Sequence, residues 1–380
     1  MTCEHFGRCG GCKYLNIPYE DELALKETTL REDLAEYAPL LQTLHPAPSR
    51  TAYRNKMELA FGDEGKDGRL ALGMRKQRSF YEVATPTDCV LIGDDFKKII
   101  AHVLEYFRES GEAFYHRKRH IGALRHLVLR RGQFTGEILL NLSTTGTLST
   151  PLAPLVEGLL QLDLDGEIVG FLHSVNDGVA DAVKNENVTT LFGRDYYNEE
   201  ICGLKFRVSA FSFFQTNSAG AEKLYDIVRR YTASPSSALA YDLYCGTGTI
   251  AQILSPNFKN VLGIELIPDA IKAAIDNAAL NGITNCSFYA GDVMDLVQQH
   301  PATPDVVVVD PPRDGLHPKA LPHILALDAP LLVYVACKPK SLTRDLALLT
   351  AAGYEVEKIE GMDMFPYTPH VEAVALLRKI

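Results

Sequence analysis

The sequence predicts a two-domain α/β protein. A doubly wound, Rossmann-like domain is expected over residues 211–380, preceded by a mostly antiparallel, β-rich domain over residues 1–210. Three observations predict it. At 380 residues the chain exceeds what one ordinary core supports. From about residue 206 onward, short apolar runs alternate with helical patterns, as in a parallel sheet with crossover helices. Before that point, apolar and polar residues alternate between turn signals, as in half-buried antiparallel strands.

Residues 1–12 hold Cys3, Cys9 and Cys12 in a C-x5-C-x2-C spacing, with Gly7, Gly10 and Gly11 between them. Glycine lets backbone fold tightly around a bound object. Cys89, in the turn 86–91, is the obvious fourth thiol. Four thiolates suit an iron–sulfur cluster or a zinc site, and spacing alone does not separate the two. A redox dithiol at Cys9 and Cys12 would need a strand before it, and none is predicted. A structural staple for the N-terminal loop is the simplest role.

Leu23, Leu30, Leu34 and Tyr37 recur at helical spacing over 18–37, and 44–48 reads as a break. Strands are expected at 56–61, 70–74, 79–83, 124–130, 137–143 and 166–175, with a polar hairpin at 63–68 and an amphipathic helix at 95–109. Two basic stretches, 75–78 and 116–131, share this half with Phe80, Tyr81, Phe114 and Tyr115. That mixture suits an RNA-facing surface. A net charge of −10 argues against a general nucleic-acid coat but allows such a local face.

A small, polar linker at 233–238 follows a helix at 219–231. Strands are then expected at 240–244, 260–264, 286–289, 305–309 and 331–336, with helices at 246–254 and 269–281, the latter stopped by Gly282. The first of these strands runs into Asp242-Leu243-Tyr244-Cys245-Gly246-Thr247-Gly248, whose glycines allow a tight turn and close ligand approach. Glu265 ends the second strand, where an acid can accept both hydroxyls of a ribose. Asp292 follows the third, placed to meet an adenine amino group, and Asp310 ends a fourth. Acids at successive strand ends suit a cofactor carrying a sulfonium, S-adenosylmethionine, better than the pyrophosphate of NAD. Plain helix capping is the competing account of such acids.

Cys337 ends the buried run 331–336, where open α/β sheets bind their ligands. A lone cysteine ordinarily only packs. This one is accompanied by Asp310-Pro311-Pro312-Arg313 and by His370-Val371-Glu372. A thiolate that attacks C6 of uracil turns C5 into a nucleophile able to take a methyl group. A base then removes the C5 proton and the thiolate leaves. Cys337 as nucleophile, Glu372 as base and Asp310 on the uracil edge would fill these roles.

With these residues in view, the sequence resembles the RNA 5-methyluridine methyltransferases, essentially from end to end. The resemblance rests on Cys3, Cys9, Cys12 and Cys89, on Tyr53-Arg54-Asn55-Lys56, Leu124-Arg125-His126, Phe213-Phe214-Gln215-Thr216-Asn217 and 242–248. It continues through 310–313, Cys337-Lys338-Pro339, Met364-Phe365-Pro366 and 370–372. It implies a [4Fe–4S] cluster on the four cysteines. It implies an S-adenosylmethionine pocket lined by Gln215, Tyr244, Glu265, Asp292 and Asp310, with Cys337 as nucleophile and Glu372 as base. Lys338 stands where the family usually has Asn, and its ammonium could lower the thiol pKa. With the cysteines starting at residue 3, no RNA-binding TRAM barrel is expected ahead of them. In organisation the chain is then most similar to the TRAM-less 23S ribosomal RNA enzymes, so 23S rRNA is the expected substrate and tRNA the alternative.

Two further readings fit less well. A base-amine methyltransferase would carry an aromatic residue where Arg313 stands and needs no Cys337. A non-catalytic iron–sulfur RNA-binding protein would not need Cys337 and Glu372 together. No apolar run approaches the roughly 20 residues of a membrane helix, and the N-terminus has no basic-then-apolar signal pattern. A monomer in the cytoplasm is expected.

Overall fold

A computed structural model describes residues 3–66, 68–179, 187–233 and 237–380. The expected hairpin at 63–68 and linker at 233–238 include residues outside that set.

An eight-stranded sheet carries the second half of the chain. Its parallel core runs in the order Cys286–Ala290, Asn260–Glu265, Leu239–Leu243, Val306–Val309, Leu331–Ala336. Both faces are covered, and the run Val306–Val309 therefore needs no polar position. Val307 and Val309 pack into one core, and Val306 and Val308 into the other. The chain winds outward from Leu239–Leu243 to Cys286–Ala290, then returns to place Val306–Val309 on the other side. That reversal opens a crevice at the C-terminal strand ends, the ligand site of such sheets.

Beyond Leu331–Ala336 the sheet turns antiparallel. Glu372–Lys379 pairs with it, Tyr354–Met362 pairs next, and Leu41–His45 closes the edge in parallel. That last strand comes from the first quarter of the chain. Its C-terminal end occupies residues 44–45, which sequence had assigned to a break. The preceding helix, Tyr19–Leu34, lies along Pro339–Ala351, with the Thr343 hydroxyl donating to the Asp33 carbonyl at 2.7 Å. The buried face of that helix is Glu22, Lys26, Leu30 and Leu34, so two of its four inward positions are charged.

A seven-stranded sheet makes up most of the first half. It is antiparallel except for Glu137–Thr144 beside Glu167–Val175, a parallel pair joined through the helix Ala153–Leu160. The amphipathic helix Asp94–Ser110 covers one face, burying Phe96, Ile99, Ile100, Val103 and Phe107. A hairpin, Tyr196–Ile201 with Leu204–Ser209, leads into the second half. Among the described residues, no helix is long and apolar enough to cross a membrane.

Candidate active site and cysteine pocket

Leu331–Ala336 is buried along its whole length, and Cys337, half-buried, is the first residue past its end. Pro339 then starts the next helix, because its fixed φ suits a first helical turn and its missing N–H is not needed there. The last ladder pair is Ala336 with Ala373. One step further brings Cys337 opposite Glu372, on the same face of the sheet. Glu372 is buried.

The electrostatics tie these groups together. Burial pushes the Glu372 carboxyl up to about 8, and the neighbouring charge of Asp310 adds to the shift while Arg313 opposes it. Burial alone raises Asp310 to about 7. The Cys337 thiol rises to about 11, first through burial, then through the charges of Glu372 and Asp310, against Arg313. Lys338 is exposed and is not among the groups acting on the thiol. The cation that favours the thiolate is Arg313, whose guanidinium lies 3.4 Å from His370 Nδ1. A solvent-open pocket of about 490 Å³ reaches Cys337 between Arg313, His370 and the N-terminal helix at Lys26 and Asp33.

Asp345 fixes the Asp310–Leu316 loop. This buried acid accepts from the Leu316 N–H at 2.7 Å and the Tyr334 hydroxyl at 2.6 Å.

On the other side of Asp310 lie the remaining expected cofactor residues. Tyr244, Gly246 and Gly248 all have positive φ, at 67°, 53° and 73°. At Gly248 a Cβ would also meet the Phe288 ring at 2.7 Å, whereas at Gly246 it would meet nothing within 4 Å. Gly248 is thus closed by packing and Gly246 faces open space. Glu265 accepts from the Gly246 N–H at 3.2 Å and from the Ile267 N–H at 3.0 Å, which sets the loop. Asp292 caps Val293–Gln299 by accepting the Met294 N–H at 2.8 Å. For that residue capping is part of its role. The Gln215 side chain favours ionisation of the buried Tyr225 hydroxyl, and its carbonyl accepts from Asn55 at 3.1 Å.

Sequence reasoning missed three groups here. Tyr225 is buried beside Gln215, and the charges of Asp310, Asp242 and Glu372 all act on it. Asp242 is fully buried and raised to about 8 by that burial. One of its oxygens accepts the Ala251 N–H at 2.8 Å and the other has no partner. Lys26, buried on the N-terminal helix, lines the pocket that reaches Cys337. The residues around the crevice supply four carboxyls, from Asp242, Glu265, Asp292 and Asp310. That donor set fits a ligand with ribose hydroxyls and positive charge, and does not fit a pyrophosphate.

Cys3, Cys9, Cys12 and Cys89 line one cavity of about 570 Å³, open to solvent, with His5, Phe6, Met57, Met74 and Leu91. Burial raises the Cys12 thiol to about 12, and the charges of the other three cysteines add to it. No three of the thiol sulfurs gather within 4.8 Å of one another. Tetrahedral zinc, with Zn–S near 2.3 Å, would need its sulfurs roughly 3.8 Å apart. The compact set that does meet the limit is Glu4, His5 and Asp88. It is engaged internally, with Asp88 accepting the Glu4 N–H at 2.8 Å and His5 on the Thr85 carbonyl at 3.0 Å.

The two basic stretches meet through aromatic contacts. Tyr81 stacks on His116 with ring centroids 4.3 Å apart, and Phe80 is 72% exposed. The basic face is smaller than sequence suggested, because Arg125, His126 and Arg130 are buried in the strand Leu124–Arg131. The surface side of that stretch is 116–121.

The sequence profile of the tRNA (uracil-5-)-methyltransferase family matches residues 184–380. An uncharacterised RNA methyltransferase of Clostridium tetani is 44% identical over 384 residues, covering 99% of this chain and 83% of the relative. One of Bacteroides thetaiotaomicron is 35% identical, covering 99% and 87%. The crystal structure of Pyrococcus abyssi tRNA (uracil-54, C5)-methyltransferase with S-adenosyl-L-homocysteine superposes with a TM-score of 0.79 at 27% identity, covering 97% of this chain and 86% of that one.

A thiol raised to about 11 is almost wholly protonated at neutral pH. Alkylation of Cys337 by iodoacetamide, followed on its own peptide, is expected to be slow there and to rise about tenfold per pH unit up to about pH 11. A rate already at its plateau near neutral pH would contradict the charge balance described.

Proposed function

This chain belongs to the tRNA (uracil-5-)-methyltransferase family, and we propose that it methylates C5 of a specific uridine in 23S ribosomal RNA. The family supports the coarser reading, an S-adenosylmethionine-dependent RNA uridine methyltransferase. The observation that carries the chemistry is that Cys337 and Glu372 both lie one step past the last ladder pair, Ala336 with Ala373, with the charge of Glu372 acting on the thiol and that of Asp310 on both.

S-Adenosylmethionine supplies an electrophilic methyl group on a sulfonium when bound. Gln215, Tyr244, Gly246, Glu265, Asp292 and Asp310 would hold it, with the acids balancing its charge. Cys337 loses its proton to water in the open pocket, favoured by Arg313, and its sulfur bonds to C6 of the uracil while the C5=C6 electrons move into an enolate at O4, which makes C5 nucleophilic. Once C5 carries the methyl group, Glu372 takes the C5 proton. The C5–H electrons form the C5=C6 double bond and the C6–S bond breaks toward sulfur. Burial suits Glu372 to this task, since a carboxyl raised to about 8 is a stronger base than an exposed one. The target base must leave its stack to reach a half-buried thiol.

Residues 1–210 act in this reading as the cluster and RNA-binding unit and 211–380 as the methyltransferase unit, the former lending Tyr19–Leu34 and Leu41–His45 to the latter. A tRNA substrate is the second reading, favoured by the similarity to the Pyrococcus abyssi enzyme over 97% of the chain. Incubation with labelled S-adenosylmethionine and unmodified rRNA or tRNA, followed by nucleoside analysis, decides between them. Label in 5-methyluridine from rRNA is expected; label from tRNA alone would overturn the substrate and keep the mechanism. Cys337→Ala should abolish transfer while retaining RNA binding. Glu372→Gln should accumulate a covalent RNA–protein adduct stable to denaturation, and normal turnover by that variant would remove Glu372 as the base.

The four cysteines are proposed to hold a [4Fe–4S] cluster as a structural staple. Anaerobic reconstitution should give about four irons and four sulfides per chain. Stoichiometric zinc without sulfide would overturn that assignment.

The exposed part of the basic face should grip RNA backbone. Replacing Arg117, Lys118 and Arg119 together by Ala is expected to weaken RNA binding and to lower the slope of log affinity against log salt by about 2, at ~0.7 per single-strand phosphate contact. An unchanged slope would take this loop out of the interface.

A further inference from the structure

Glu372 is delivered into the cleft by the nine-residue segment that joins Tyr354–Met362 to Glu372–Lys379. Four consecutive carbonyls of that segment are held from outside it. Met364 O accepts from Asn217 Nδ2 at 2.8 Å, and Phe365 O from Lys26 Nζ at 3.1 Å. Pro366 O accepts from the Tyr53 hydroxyl at 3.0 Å, and Tyr367 O from the Lys13 and Tyr14 N–H groups at 2.7 and 3.1 Å. Tyr367 itself has φ 67°, a conformation that a non-glycine residue keeps only where its surroundings impose it.

Lys26 is central to this clamp. It is 2% exposed, with Nζ 2.7 Å from both Glu22 Oε1 and Asp363 Oδ1. Both carboxylates also hold the segment's backbone. Glu22 Oε1 accepts the Tyr367 N–H at 2.6 Å, and Asp363 Oδ1 accepts the Phe365 N–H at 3.2 Å. The Tyr19 hydroxyl donates to Asp363 Oδ2 at 2.8 Å. Lys26 also lines the pocket that reaches Cys337 and His370. A buried ion triad is a poor way to gain stability, because desolvation offsets most of the attraction and apolar residues of like volume serve as well or better. This triad instead fixes backbone atoms on either side of the turn that leads to Glu372.

From this geometry we infer that Lys26, with Glu22 and Asp363, is a positioning residue for proton removal: it sets the 363–371 segment so that Glu372 meets C5 of the bound uracil. The inference rests on the reading of Glu372 as the base. Loss of the clamp leaves attack by Cys337 intact, since its strand is also held by the buried ladder to Val306–Val309, and slows the release of the adduct.

The test compares wild type, Glu372→Gln, Lys26→Met and the apolar triple variant Glu22→Leu, Lys26→Met, Asp363→Leu on the RNA that the wild type methylates. Lys26→Met alone leaves two buried acids unpaired and is expected to be destabilised; the triple variant restores packing and keeps the comparison informative if the single one misfolds. In the triple variant, turnover should fall about a hundredfold, the scale of an ångström's misplacement. The fraction of chain in covalent RNA adduct should rise toward that of Glu372→Gln, with S-adenosylmethionine affinity unchanged. Wild-type turnover in the triple variant would reduce the triad to a fold element and overturn the inference. So would slow turnover without adduct. If Glu372→Gln itself traps no adduct, the base assignment fails first, and the inference with it.

Discussion

The register between Leu331–Ala336 and Glu372–Lys379 is the constraint on which the site depends. Side chains alternate faces along a strand, so a slip of one residue would turn Glu372 away from Cys337. The register is held because both strands are central, with Val333, Val335, Val374 and Leu376 packed on one face and Leu332, Tyr334, Ala373 and Ala375 on the other. A slip would exchange these two sets. The hydrophobic core thus fixes the thiol–carboxyl pairing more firmly than any contact between the two groups could.

What the core secures in geometry it charges for in electrostatics. Asp242, Asp310 and Glu372 are each raised into the range of about 7 to 8 chiefly by burial. Arg313 acts against this at Glu372 and at Cys337, where a backbone hydrogen bond also favours the thiolate. Three desolvated carboxyls around one crevice favour any ligand that brings positive charge among them. In the proposed reaction that charge and the reacting methyl group arrive on the same molecule. In the strand order Asp310 stands between the thiol and the glycine turn, so in the proposed reaction one acid faces both substrate and methyl donor.

Much of this was legible in the sequence. The Val-rich runs, the acids at their ends, and Cys337 just past a strand follow from the parallel-sheet pattern and from where such sheets bind ligands. The burial of Glu372 and its place opposite Cys337 did not follow, because strand pairing across forty residues leaves no local trace. The helix Tyr19–Leu34 was found by its leucines, but its partner was not. Glu22 and Lys26, four residues apart on a helix, read as an ordinary surface ion pair. Only the packing of this helix against the far end of the chain turns them inward. Arg125 and Arg130 misled in the same way, as basic residues that look solvent-facing and lie inside a sheet. Charged residues carry their burial in tertiary structure, while apolar periodicity carries it in sequence.

The N-terminal fifty residues join what the two sheets separate. Cys9 forms an isolated β-bridge with Lys76, and the Gln77 N–H donates to the Arg8 carbonyl at 2.8 Å, which ties the cysteine loop to the basic stretch at 75–78. Directly after Cys12, the Lys13 and Tyr14 N–H groups bind the Tyr367 carbonyl, and the chain then enters the helix that bears Glu22 and Lys26. Four half-buried thiols that raise one another's pKa are a poor core on their own, and a metal that takes them as thiolates removes that repulsion. Whatever orders the cysteine loop therefore also orders the backbone donors at residues 13 and 14, and through them the turn that carries Glu372. The cysteine loop is in this way one wall of the clamp around the proposed base, and the proposed cluster, by stapling that loop, would act on the base's position without exchanging an electron.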